Sequence, residues 1–260
     1  MRRTLTTRLA LVLALATASA AWAEATIIPL PLQTEKEARQ ISVVVDKGLT
    51  STRSLPTPEL RQARKDMLEG KEIPIDLLRQ LAEYKDSLAA LHYVRLLTED
   101  DMRAHASDIA YFGAIAVAAG RVWALPSMVR ALAYLSPETE PKERVAKYIQ
   151  VLYPHAWAGN TLALNAVIDF NGEGRLFGPL SNATRARIEQ QLEALGDGQG
   201  ELKLAVNILN TKELTESEKA AALAHLRRAA ESEYLAVATT AANLIEQLTA
   251  ETQDQTAVTN

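Results

Sequence analysis

A chain of 260 residues without a cysteine excludes disulfides, thiolate nucleophiles, zinc–cysteine sites and lipid attachment through an N-terminal cysteine. Its 28 basic and 32 acidic side chains give a net charge of −4, which argues against nucleic acid as a partner, because phosphate binding needs clustered Lys and Arg. At 48% apolar the chain has a core to bury, and with only 5% aromatic residues and abundant alanine it suits closely stacked helices better than a sandwich or barrel.

The chain opens on Arg2, Arg3 and Arg8, followed by an apolar run from Leu9 to Ala21 and the small-x-small triplet Ala21-Trp22-Ala23. That order predicts a secretory signal over residues 1–23, cleaved near Ala23, and a periplasmic or secreted mature protein. The run is too short for a permanent anchor, which needs about 20 apolar residues. Its removal takes three basic residues and no acidic one, so 25 face 32 and the balance becomes −7. Residues 24–57, with Pro29, Pro31, Pro56 and a polar run from Thr50 to Ser54, predict a loosely packed lead-in. Thr34 and Glu37 have capping-box spacing for one short helix there, and Val43 to Val45 fit an edge strand equally well.

From residue 58 to 250 the punctuation predicts a helical repeat domain, because start signals recur every dozen to twenty residues before apolar residues at i, i+3 and i+4. Helices are expected from Pro58 to near Gly70, Pro74 to Tyr84, Ser87 to Leu97, and Thr98 to Gly120. Others run from Pro126 to Leu135, Pro141 to Leu152, Asn160 to Phe170, Ser181 to Leu195, and Glu201 to Leu209. The last two run from Thr215, with Glu218 completing a capping box, to Ala230, and from Glu233 to Leu248. The polar residues 251–260 predict a disordered tail.

Small or turn-forming residues precede alanine-rich helices at Asp86, Gly120, Gly159, Gly198 and Ser232, spaced by 34, 39, 39 and 34 residues. Helix-pair repeats of the tetratricopeptide type occupy about that length. Ala158-Gly159-Asn160-Thr161-Leu162-Ala163-Leu164, followed by Phe170-Asn171-Gly172-Glu173-Gly174, resembles the Sel-one-like repeat, a cousin of the tetratricopeptide repeat. Echoes lie at Glu69 to Ala90 and Lys219 to Glu233, while the units holding Gly120 and Gly198 lack the Gly-x-Gly turn. The resemblance implies an all-α solenoid of stacked antiparallel helix pairs. It further implies a protein-binding scaffold or adaptor, in envelope assembly, exopolysaccharide production or control of a membrane sensor, and no chemistry.

No pattern for catalysis or a cofactor stands out. His92, His105, His155 and His225 are dispersed, and none shares a helix face with a further ligand as part of a wider set, so no metal site is expected. Glu99-Asp100-Asp101 reads as a helix start, where the dipole favours negative charge, rather than as an acid–base dyad. The serines lack a Gly-x-Ser-x-Gly elbow, and Gly172 to Gly174 and Gly196 to Gly200 lack the Lys-Ser or Lys-Thr of a phosphate loop. For binding, the candidates are Trp123, Tyr153 and Trp157, which flank predicted unit junctions, since Trp and Tyr supply much of the energy of interfaces. The alternative of a helical cell-wall or polysaccharide hydrolase, with a carboxylate that no motif marks, stays open.

Overall fold

The computed structural model describes the backbone of residues 41–210 and 214–258 and side chains to residue 250; the expected signal segment and the Thr34–Glu37 pair lie outside the described residues. Within them the protein is all-helical, with no strand. Eleven α-helices follow one another: α1 (Pro58–Leu68), α2 (Ile75–Glu83), α3 (Ser87–Asp100), α4 (Ala106–Ala118), α5 (Leu125–Leu132) and α6 (Lys142–Trp157). Then come α7 (Thr161–Phe170), α8 (Asn182–Leu195), α9 (Gln199–Leu209), α10 (Glu216–Ala230) and α11 (Leu235–Val258). No described helix is long and apolar enough to cross a membrane.

The helices begin where side-chain oxygens reach free amides. Thr57 caps α1, Asp86 caps α3, Asn160 caps α7 and Ser181 caps α8. Thr215 and Glu218 form a reciprocal capping box on α10, the hydroxyl accepting from Glu218 N at 3.2 Å and the carboxylate from Thr215 N at 2.8 Å. Thr215→Ala should therefore fray the first turn of α10 and cost about 1 kcal/mol, read as lost hydrogen-exchange protection over residues 216–219.

Several boundaries differ from the sequence expectation. Thr98 does not start a helix: α3 runs on to Asp100, and the Thr98 hydroxyl donates to the Val94 carbonyl one turn back at 2.7 Å. Glu99 and Asp100 thus close α3, at the end the dipole disfavours, and Asp101 instead accepts from Arg103 N and Ala104 N in the turn before α4. α6 passes through Pro154 to Trp157 rather than stopping at Leu152, so the proline's missing N–H removes one rung without ending the helix. α11 continues ten residues past Leu248, through the expected tail as far as Val258, over a stretch that holds no glycine or proline to end it.

Residues 41–57 overturn the expectation of a loose lead-in. Leu55 is 1% exposed, Val45 and Leu49 pack on the core, and Ile41 to Leu49 are bound along the helix ends. Val43 to Val45 form no strand: Val45 sits in a bend and donates to the Ala118 carbonyl at the end of α4, and Val43 donates to the His155 ring.

Each helix packs on the next from α1 to α5; α6 packs instead on α4 and on α7, α5 also meets α7, and the succession resumes from α9 to α11, with α7 touching α9. The core depends on small residues: Ala110, Ala114 and Ala116 of α4 are fully buried, and a Cβ added to Gly113 would stand 2.9 Å from Met128 Cβ of α5. Helix axes so close leave little room for rings, which is why few aromatics are needed. Phe112 and Tyr148 are the two fully buried rings among the described residues; Phe112 meets Tyr93 at 5.0 Å and Tyr111 at 5.2 Å between ring centroids, both edge-on. One apolar cluster runs from Leu55 to Leu192, and beyond it the last three helices bury Leu202, Ala222, Leu226 and Val237.

Candidate binding rim

The five junction positions read from the sequence all fall in turns between helices: α2–α3, α4–α5, α6–α7, α8–α9 and α10–α11. Contacts tie these turns into a continuous rim. Across the first three lies the strap Ile41–Leu49. The Asn160 side-chain amide donates to the Ile41 carbonyl at 3.1 Å. Val43 N–H donates to His155 Nε2 at 3.1 Å, and Ser42 Oγ donates to the Gly120 carbonyl at 3.0 Å. Val45 and Asp46 both donate to the Ala118 carbonyl, at 2.8 and 3.0 Å, and Leu49 donates to the Lys85 carbonyl at 2.8 Å. The strap thus advances four residues per turn and runs opposite to the order of the helices.

Most of these bonds use main-chain groups that helix ends leave without an intrahelical partner. The Ala118, Gly120 and Lys85 carbonyls lie at or just past the end of a helix; strap amides satisfy those of Ala118 and Lys85, and the Ser42 hydroxyl that of Gly120. Gly48 is needed where the strap crosses the α2–α3 turn: its φ is +64° and a Cβ there would stand 2.4 Å from the Lys85 carbonyl oxygen. Asp46 adds a charge anchor, 3.1 Å from Lys85 and 3.5 Å from Lys147. The Gly48 amide, then Lys85, holds its carboxyl below the usual range.

His155 is fully buried, and its two ring nitrogens have different partners. Nδ1 lies 2.8 Å from the Val151 carbonyl, which only accepts, while Nε2 faces the Val43 N–H, which only donates. The ring is therefore neutral, with its proton on Nδ1. Burial pushes its pKa down, and the Val151 carbonyl works weakly the other way.

The rim continues past Ile41. A shallow cleft lined by Thr161, Leu164, Leu192, Leu195, Asp197 and Gln199 joins the α6–α7 turn to the α8–α9 turn. Ser232 Oγ then donates to the Asp197 carbonyl at 2.5 Å, tying in the α10–α11 turn. Five large apolar side chains stand exposed along this edge: Val44 on the strap, then Tyr84, Trp123, Tyr234 and Leu235 in or beside the turns.

Of the three residues singled out for binding, Trp123 is 62% exposed, in the turn after α4. Tyr153 and Trp157 sit together on α6, half-buried, with ring centroids 5.5 Å apart; the Tyr153 hydroxyl donates to Asn171 Oδ1 at 3.0 Å. Their placement is mainly structural.

The two buried glutamates are bound within the core. Glu140 accepts from the Tyr148 hydroxyl at 2.6 Å and from Ser107 Oγ at 3.1 Å, so burial and then this bond push the Tyr148 phenol up. Glu201 joins α9 to α10 through His225 at 2.6 Å and Arg228 at 2.9 Å; burial acts to raise its pKa, and the two partners outweigh it and hold the carboxyl low. Among the described residues no three His, Asp or Glu side chains gather as metal ligands.

The strap and His155 were not singled out in the sequence as binding residues. The signal available was the five periodic turn positions, which mark the rim itself, and the Asp-x-Gly at Asp46–Gly48, which marks a tight turn entering it. No family model, curated protein or solved structure matches the chain.

Proposed function

We propose that this protein is a non-enzymatic scaffold of the envelope, exported by the signal at residues 1–23, that grips a protein partner along the rim of a short α-solenoid of Sel-one-like helix pairs. The observation that carries this reading is the strap. The rim already holds one extended segment, by hydrogen bonds that are mostly main-chain and so depend little on the sequence bound. The periodic spacing of the turns and the succession of packed helix pairs support the repeat reading. The exposed Trp123 supplies an aromatic anchor beside the strap, in keeping with an assembly role or with restraint of a membrane sensor.

The test begins with capture of a partner from envelope extract by residues 24–260, followed by titration of that purified partner. Trp123→Ala should weaken binding by about 2 kcal/mol or more, the scale of an interface hot spot, while leaving the thermal midpoint unchanged. Turnover of peptidoglycan or exopolysaccharide that is lost on replacing one Glu or Asp would overturn the scaffold reading in favour of a helical hydrolase.

A further inference from the structure

We infer that Ile41–Asp46 is a releasable latch over an extended-peptide site, and that uptake of a proton by His155 opens it. The inference rests on the scaffold reading above and adds its regulation. Val43 offers the ring nothing but an N–H, so the bond exists only while Nε2 keeps its lone pair. A proton there would set two donors 3.1 Å apart in a fully buried position, and the strap's entry onto the rim would have to move away.

The charged groups on the elements packed around His155 are engaged elsewhere. Asp46 of the strap is paired with Lys85 and with Lys147 of the same helix as His155. Arg121, beyond α4, donates to Ser87 Oγ at 2.9 Å; Arg144 of α6 is paired with Asp108 of α4, and Asp169 of α7 with Lys203. The influences on the ring are burial and the Val151 carbonyl, and burial prevails. The sign follows from this. The neutral ring is favoured in the closed state, so the hold is complete above the ordinary imidazole value of 6.5 and weakens as pH falls below it. Asp46, held below the usual carboxylate range, stays charged through that window and does not cause the release.

Opening would expose the Ala118 and Gly120 carbonyls and the His155 ring as one row of main-chain-reading groups. The row has the chemistry to take an extended peptide in place of the strap. Its protonated imidazole, now a donor, favours a segment that presents a carbonyl or carboxylate where Val43 presented an N–H.

The experiment is hydrogen exchange on the full mature chain, corrected for intrinsic rates, at about pH 7.5 and about pH 5, either side of the imidazole range. Amides 43, 45 and 46 should lose protection by about tenfold or more across that interval, the equivalent of one pKa unit, while those of α7 keep theirs. In His155→Gln, whose side chain can accept but does not titrate, the protection should be flat with pH. Nitrogen-15 titration of the wild-type His155 ring should track the loss, and does not depend on the variant folding. Equal protection at both pH values in the wild type, the same loss in the variant, or a ring that stays neutral throughout would each overturn the latch. Failure of the latch leaves partner capture at neutral pH untouched, whereas a rim that captures nothing sinks the scaffold reading while the exchange result stands.

Discussion

Asp86→Ala is expected to lower stability by about 3–5 kcal/mol, the cost of leaving a buried charge without its partner. The Asp86 side chain is 4% exposed and holds Arg64 Nε at 2.6 Å. Its other oxygen caps α3, accepting from Leu88 N at 3.0 Å and Ala89 N at 2.9 Å. Arg64 in turn reaches Thr52 Oγ1 at 2.5 Å and the Leu49 carbonyl at 3.3 Å, so one aspartate ties α1, α3 and the foot of the strap. Removing it strands the guanidinium and two amides together. Asp86→Asn keeps an acceptor for the cap and loses only the ion pair, so it should fall between the wild type and the alanine variant. Urea titration checks this, with a lowered midpoint and an unchanged slope as the expected result. A loss below about 1 kcal/mol in the alanine variant, the range of an exposed pair, would show that Arg64 finds other company.

The second large effect is expected at Phe112. Truncation to alanine should remove about 3–5 kcal/mol, the range for a fully buried phenylalanine. The ring is 1% exposed and lies edge-on to both Tyr93 of α3 and Tyr111 of its own helix. The void left beside Tyr93 and Tyr111 adds a cavity cost to the lost burial of the ring. The same urea titration reads the effect, and Trp123→Ala, an exposed change of comparable size, provides the contrast with an expected shift within about 0.5 kcal/mol.

These cases show where the sequence was informative. Helix starts at Thr57, Ser181 and Thr215 could be read locally, because a cap is a side chain answering amides two or three residues away. Glu99 to Asp101 was misread for the same local reason: three acids beside Thr98 look like a start, and only the packing of Leu97 and Val94 into the core carries α3 past them. The helix expected to stop at Leu152 runs further, through Pro154 to Trp157, and buries His155 and Ala156 on the way at the loss of one rung. The junction residues located the rim, but no sequence period could show that residues 41–49 lie on it. Their partners stand far away along the chain, and a run of valines looks alike whether it pairs with a strand or with helix ends. Tyr153 and Trp157 proved half-buried because four-residue spacing puts them on one helix face, a pattern that interface and core share.

The strap also has a bearing on how the molecule forms. Its bonds to His155 and Asn160 close loops of 112 and 119 residues, whereas each helix pair closes on itself over a few dozen. Closing a loop so large costs more entropy than any neighbouring helix contact, and the rim it needs does not exist until α7 is in place. A segment that leaves the ribosome early is therefore among the last to find its seat.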